Sequence, residues 1–127
     1  MRMDDLFIKM TQQTPELSFK TTGEFYIKGV SIPENVHAFY SPVTEWLKAL
    51  ELNPPKEIKL DLEFEYLNTA SNRSMVEVIK AISRFKQKHI SIAVNWLYEI
   101  EDDDAKELGE DIEYCVDLKF NFIAKDA

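Results

Sequence analysis

Ten consecutive residues, EIKLDLEFEY at 57–66, constrain this chain more than any others. Ile58, Leu60, Leu62, Phe64 and Tyr66 alternate there with Lys59, Asp61, Glu63 and Glu65. A period of two belongs to a strand, and it requires one dry face and one wet face. The chain must therefore build a sheet covered on one side. Similar runs recur. Phe25 and Ile27 alternate with polar neighbours after Gly23, with Leu17 and Phe19 as a hairpin partner. Ile90, Ile92, Val94, Trp96 and Tyr98 form another run, and Val116, Leu118, Phe120 and Phe122 a last one.

Between these runs the period changes. Val36, Phe39, Tyr40, Val43, Leu47 and Leu50 recur at helical spacing after Ser31-Ile32-Pro33-Glu34, so a helix opens there with one apolar face. Pro42 lacks an N–H and is expected to kink or restart it, with Ser41 as a cap. Asn53-Pro54-Pro55 ends it. Met75, Ile79, Ile82 and Phe85 mark a second helix. Strand, helix, strand across 57–98 predicts a parallel pair with a right-handed crossover. The expected fold is α/β, a two-layer sandwich with a mixed sheet of about five strands and helices packed mainly on one face. At 127 residues, 1–127 reads as a single domain large enough to bury a core.

The net charge of −8 is concentrated. Residues 99–113, EIEDDDAKELGEDIE, hold nine acids and one lysine, and the rest of the chain balances. Such a patch repels phosphodiester backbones, so no nucleic-acid partner is expected, and a basic protein surface or a cation suits it better. It reads as a short helix or helical loop ending near Gly109. No apolar run approaches the roughly 20 residues that span a bilayer, so no membrane partner is expected. The start, MRMDDLFIKM, has two acids before a very short apolar stretch, unlike a secretory signal, and a cytoplasmic protein is expected. Cys115 lies in a strand-like run, where a small buried residue is expected.

The junction EYLNTASNRS, at 65–74, is richer in small polar residues than a turn needs. Ser74-Met75-Val76-Glu77 fits a capping box, and Ser71 is a rival cap one turn earlier. Turn chemistry accounts for either serine and leaves Thr69 over. A phosphate on a hydroxyl ahead of a helix would meet free N–H groups and the helix dipole, with Arg73 in reach from the next turn. If the strands ending near Tyr66 and Tyr98 are parallel neighbours, Asn68, Thr69, Ser71 and Arg73 share a rim with Glu101, Asp102, Asp103 and Asp104. The acidic run otherwise reads as a solvated face, and it lacks the spacing of a calcium loop. His37 and His89 each stand alone, and there is no G-x-S-x-G, P-loop or Cys/His pair. No catalytic residue, cofactor or metal site is expected.

Four stretches together carry a resemblance: TPELSF at 14–19, GEFYIKGVSIPENVHAFYSPVTEWL at 23–47, EYLNTAS at 65–71, and VNWLYEIEDDDAKELGED at 94–111. In this order they resemble the SiaC family of bacterial regulatory phosphoproteins. The resemblance implies a non-enzymatic switch, modified by a Ser/Thr kinase and restored by a PPM-type metal-dependent phosphatase. It implies an effector bound by the unmodified form, a diguanylate cyclase, which would link the switch to cyclic-di-GMP and biofilm formation. By match to the family motif, Thr69 is the phosphorylated residue. The implied fold is similar to STAS-type anti-sigma factor antagonists. Ala70 replaces a serine that often follows the threonine, and Ser71 stays as an alternative acceptor. Two rival readings remain. One is an adaptor or antagonist-like module that works through the acidic rim without phosphorylation. The other is a small metal-dependent hydrolase using the acids at 101–111.

Overall fold

A computed structural model describes residues 3–126, and six strands there form one sheet in chain order. Strands β1 (Leu6–Ile8), β2 (Glu16–Phe19) and β3 (Glu24–Ser31) run antiparallel as a meander. From β3 onward every pairing is parallel, through β4 (Glu57–Leu67), β5 (Ser91–Glu99) and β6 (Phe120–Lys125). Helices α1 (Val36–Leu50), α2 (Thr69–Ser83) and α3 (Asp103–Cys115) make the three crossovers. Helix α1 packs on α2, and α2 touches α3, so they form one layer. The sheet has one strand more than expected. β1 is three residues long and too short to show a periodicity.

The alternation in β4 sorts the two faces. Ile58, Leu60, Leu62 and Phe64 are buried beneath the helices with Phe25, Ile27, Val94 and Trp96. The opposite face is polar and laced across strands. Asn95 Nδ2 donates to Asp61 Oδ1 at 2.8 Å, Asn121 Nδ2 donates to Asn95 Oδ1 at 3.1 Å, and Lys125 Nζ meets Glu63 Oε2 at 2.8 Å.

One irregularity changes the expected pattern. Gly29 pairs with Phe64 and Val30 with Tyr66, so Glu65 is a surplus residue, a bulge in β4. Past it the sides exchange. Leu67 is buried, and Tyr66, expected in the core, is 57% exposed.

Four further expectations are corrected. Helix α1 is capped by Asn35, whose side chain accepts from the Ala38 N–H at 3.0 Å, and it continues through Pro42 without a restart at Ser41. Pro42 and Ala38 both face solvent, so the carbonyl that Pro42 leaves unpaired is open to water. Helix α3 continues through Gly109 to Cys115. Cys115, at its end, is exposed, not buried in a strand. Strand β6 begins at Phe120, leaving Val116 and Leu118 in the turn before it. Among the described residues, no helix is long and apolar enough to cross a membrane.

Candidate functional site

The junction between β4 and α2 is held from two sides. The Asn68 N–H donates to the Ser31 carbonyl at 3.1 Å, and Asn68 Oδ1 accepts from the Ser71 N–H at 2.8 Å. Asn68 is therefore the cap of α2, with extended backbone, and neither Ser71 nor Ser74 fills that position. Thr69 becomes the first residue of the helix, and its side chain is exposed. Ala70 is exposed beside it. Arg73 lies four residues on, the spacing that brings side chains to one face, and it is exposed with no ion-pair partner among the described residues.

Ser71 does not belong to the rim. It is fully buried, and its hydroxyl oxygen accepts from the Ser31 hydroxyl at 2.8 Å. That burial removes it as an alternative phosphate acceptor. Ser31 also meets the Tyr40 hydroxyl at 2.6 Å. Sequence reasoning missed this chain of hydroxyls. Its signal was present, since Ser31 occupies an inward position of β3, in step with Phe25 and Ile27.

Burial pushes the Tyr40 phenol from its usual 10.0 up to about 12, with the Ser31 hydrogen bond pulling the other way. The folded protein thus holds this proton more tightly than the unfolded chain does. The resulting stability is fully present below pH 10 and is lost as pH rises towards 12. Two units correspond to about 3 kcal/mol as an upper figure. Denaturant midpoints are expected to fall across that window, and Tyr40→Phe is expected to flatten the fall.

The acidic segment arrives at the same edge. Strands β4 and β5 are parallel neighbours in the register Leu62 to Trp96, so the chain leaves both at one end of the sheet. Asp102 caps α3 by accepting from the Ala105 N–H at 3.0 Å, and Asp103 and Asp104 sit in the first turn. Carboxylates there are stabilised by the helix dipole. Glu101 precedes them in the turn, and all four acids are exposed. Helix α3 is seated by Trp96, whose indole N–H donates to the Ala105 carbonyl at 2.9 Å. Gly109 lets the helix approach, because a Cβ there would lie 2.6 Å from the indole ring.

The two junctions meet at a cleft of about 370 Å³ lined by Tyr66, Leu67, Asp102, Asp104 and Leu108. Tyr66 and Ile100, the latter 56% exposed, add apolar surface to this edge. The structure thus brings Asn68, Thr69 and Arg73 to the edge that carries Glu101, Asp102, Asp103 and Asp104. What it offers is a charged rim with aromatic and aliphatic surface and an accessible hydroxyl, a surface for docking. His37 lines a groove between α1 and α2 with Tyr40 and Glu77, while His89 closes the 3₁₀ turn that follows α2, in left-handed conformation. Among the described residues, no three metal-ligating side chains converge.

Comparison with known proteins places this geometry. A family model described as SiaC family regulatory phosphoprotein matches residues 8–125. An uncharacterized protein of Pseudomonas aeruginosa strain UCBPP-PA14 is 29% identical over 121 residues, covering 94% of each chain. The crystal structure of apo-SiaC from P. aeruginosa superposes with a TM-score of 0.86 at 27% identity, covering 96% of this chain and all of that one. SiaC is also known in a crystal structure as the activator in complex with the diguanylate cyclase SiaD of P. aeruginosa. That structure gives a TM-score of 0.87 at 26% identity, with 95% of this chain and all of that one covered.

Proposed function

The chain belongs to the SiaC family of regulatory phosphoproteins, and from that membership we propose that it is a non-enzymatic switch whose phosphorylation at Thr69 controls effector binding. The observation that carries the reading is the position of Thr69. The residue is exposed at the first position of α2, beside the apolar and acidic edge described above. A phosphate there adds about −1.5 to −2 charges and lies against the positive end of the helix. Arg73 is placed to pair with it from the next turn.

By kinship with the SiaC that activates SiaD, the effector is a diguanylate cyclase, bound through the edge formed by Tyr66, Thr69, Ile100 and the acids at 101–104. The modifying partner is a Ser/Thr kinase, and the restoring partner a PPM-type phosphatase. The switch is set by covalent state alone, and its output is cyclic-di-GMP synthesis by the bound cyclase, with biofilm formation downstream.

Two measurements test this. Intact mass of the protein from its native cells is expected to show one phosphate, removed by phosphatase treatment and absent in Thr69→Ala. The unmodified protein and Thr69→Ala are both expected to bind and stimulate the cyclase. Binding that ignores the phosphate would leave an adaptor working through the acidic rim as the correct reading.

A further inference from the structure

Ser31 and Ser71 are the two buried polar residues among those described, and both lie beneath the phosphoacceptor turn. Each has one hydroxyl hydrogen, which fixes the direction of the chain they form with Tyr40. Ser31 donates to Ser71 at 2.8 Å, so its hydrogen is committed. The 2.6 Å contact with Tyr40 must then run from the phenol to Ser31. The order is Tyr40 to Ser31 to Ser71, from α1 through the end of β3 to the first turn of α2.

An apolar core would be the simpler way to fill this space. Buried hydroxyls are tolerated only when bonded, and among the described residues every buried side-chain nitrogen and oxygen has a partner. What the chain adds is direction. It fixes Ser71, two residues after Thr69, to elements on both sides. Asn68, one residue before Thr69, is tied to the same Ser31 through its carbonyl. The exposed threonine is thereby held between two anchors that converge on one strand residue. A helix end without such anchors frays, since its first N–H groups have no partners within the helix.

We propose that Ser31, Tyr40 and Ser71 are positioning residues for Thr69, locking the first turn of α2 so that its hydroxyl is offered to the modifying enzyme in one geometry. This rests on the phosphoacceptor reading given above. The role is distinct from general stability, because the chain holds one turn and not the sheet.

Hydrogen exchange on the unmodified protein tests the anchoring without any kinase. In Tyr40→Phe and Ser31→Ala, amide exchange at residues 71–73 is expected to rise about tenfold, the worth of one typical hydrogen bond, with amides of β4 unchanged. Unchanged exchange at 71–73, or an equal rise throughout the domain, would overturn the proposal. Tyr40→Phe is the mildest variant and decides the matter if Ser31→Ala fails to fold.

A second arm follows phosphate incorporation at Thr69 in lysate of the native cells supplied with ATP. The initial rate is expected to fall several-fold in Tyr40→Phe while the substrate concentration for half-maximal rate stays put. A rate equal to that of the unaltered protein would also overturn it. If the unaltered protein takes up no phosphate, the switch reading fails, and exchange alone then decides the anchoring.

Discussion

Phosphorylated quantitatively at Thr69, the protein is expected to bind the proposed cyclase effector about 100-fold more weakly than the unmodified form, close to 3 kcal/mol. Long-range repulsion is not the cause. The edge already carries four exposed acids at 101–104, so a partner suited to it has basic surface, and added negative charge would attract that partner. The loss must come from contact. A phosphate is bulky and strongly hydrated, and closing an interface over it strands a desolvated charge. Arg73 can neutralise part of that charge but adds its own bulk at the same place.

This account makes a sign prediction that separates contact from field. Affinity of the unmodified protein should fall as salt rises, because the acidic rim steers a basic partner. The ratio between unmodified and phosphorylated affinities should stay nearly constant. Calorimetry at two salt concentrations measures both. A ratio that collapses at high salt would show that the phosphate acts through its field instead. Thr69→Glu should reproduce only part of the effect, since a carboxylate has less charge and volume than a phosphate.

The largest single effect on stability is expected from Gly109→Leu. A Cβ at this position would lie 2.6 Å from Cε2 and Nε1 of Trp96. The ring cannot give way. Trp96 is buried, and its indole N–H is committed to the Ala105 carbonyl. Overpacking of this kind costs about 1–3 kcal/mol, and here the clash is between a helix axis and a fixed ring. We expect about 3 kcal/mol, a fall in Tm of roughly 10 °C. Tryptophan fluorescence should shift with the unfolding of α3. Glu110→Ala, one residue on and exposed, is expected to change stability by less than about 0.5 kcal/mol. An unaltered Tm in Gly109→Leu would mean that α3 is free to move away from the sheet.

Much of the framework was legible in the residues. The alternation in β4 and β5 marked the parallel pair, and the apolar stripes marked α1 and α2, because burial of one face writes a period into the sequence. From those alone the two junctions were expected at one edge, and the structure places them there. Length defeated the reading at β1, where three residues cannot show a period. Gly109 reads as a stop signal in isolation, and only the nearby indole reveals that it serves close approach within a continuing helix. Pro42 misled in the same way, since its missing hydrogen bond costs little where the orphaned carbonyl faces water. Capping was misassigned at α2 because Asn68, Ser71 and Ser74 all have suitable side chains, and the choice depends on where the strand ends. Ser71 was placed at the rim for its polarity, although it points inward to a partner forty residues earlier in the chain.

The unpaired residue at position 65 decides which way the junction looks. Strand side chains obey parity, so a single insertion acts like a half-turn of everything after it until the helix begins. With the insertion, Leu67 closes the core and Tyr66 looks outward, and Asn68 arrives where it can reach Ser31. Were Glu65 paired regularly instead of bulged, the same letters would turn the Tyr66 ring to the interior and Leu67 to solvent. Counting, as much as chemistry, therefore governs whether such a chain can be recognised by its partners.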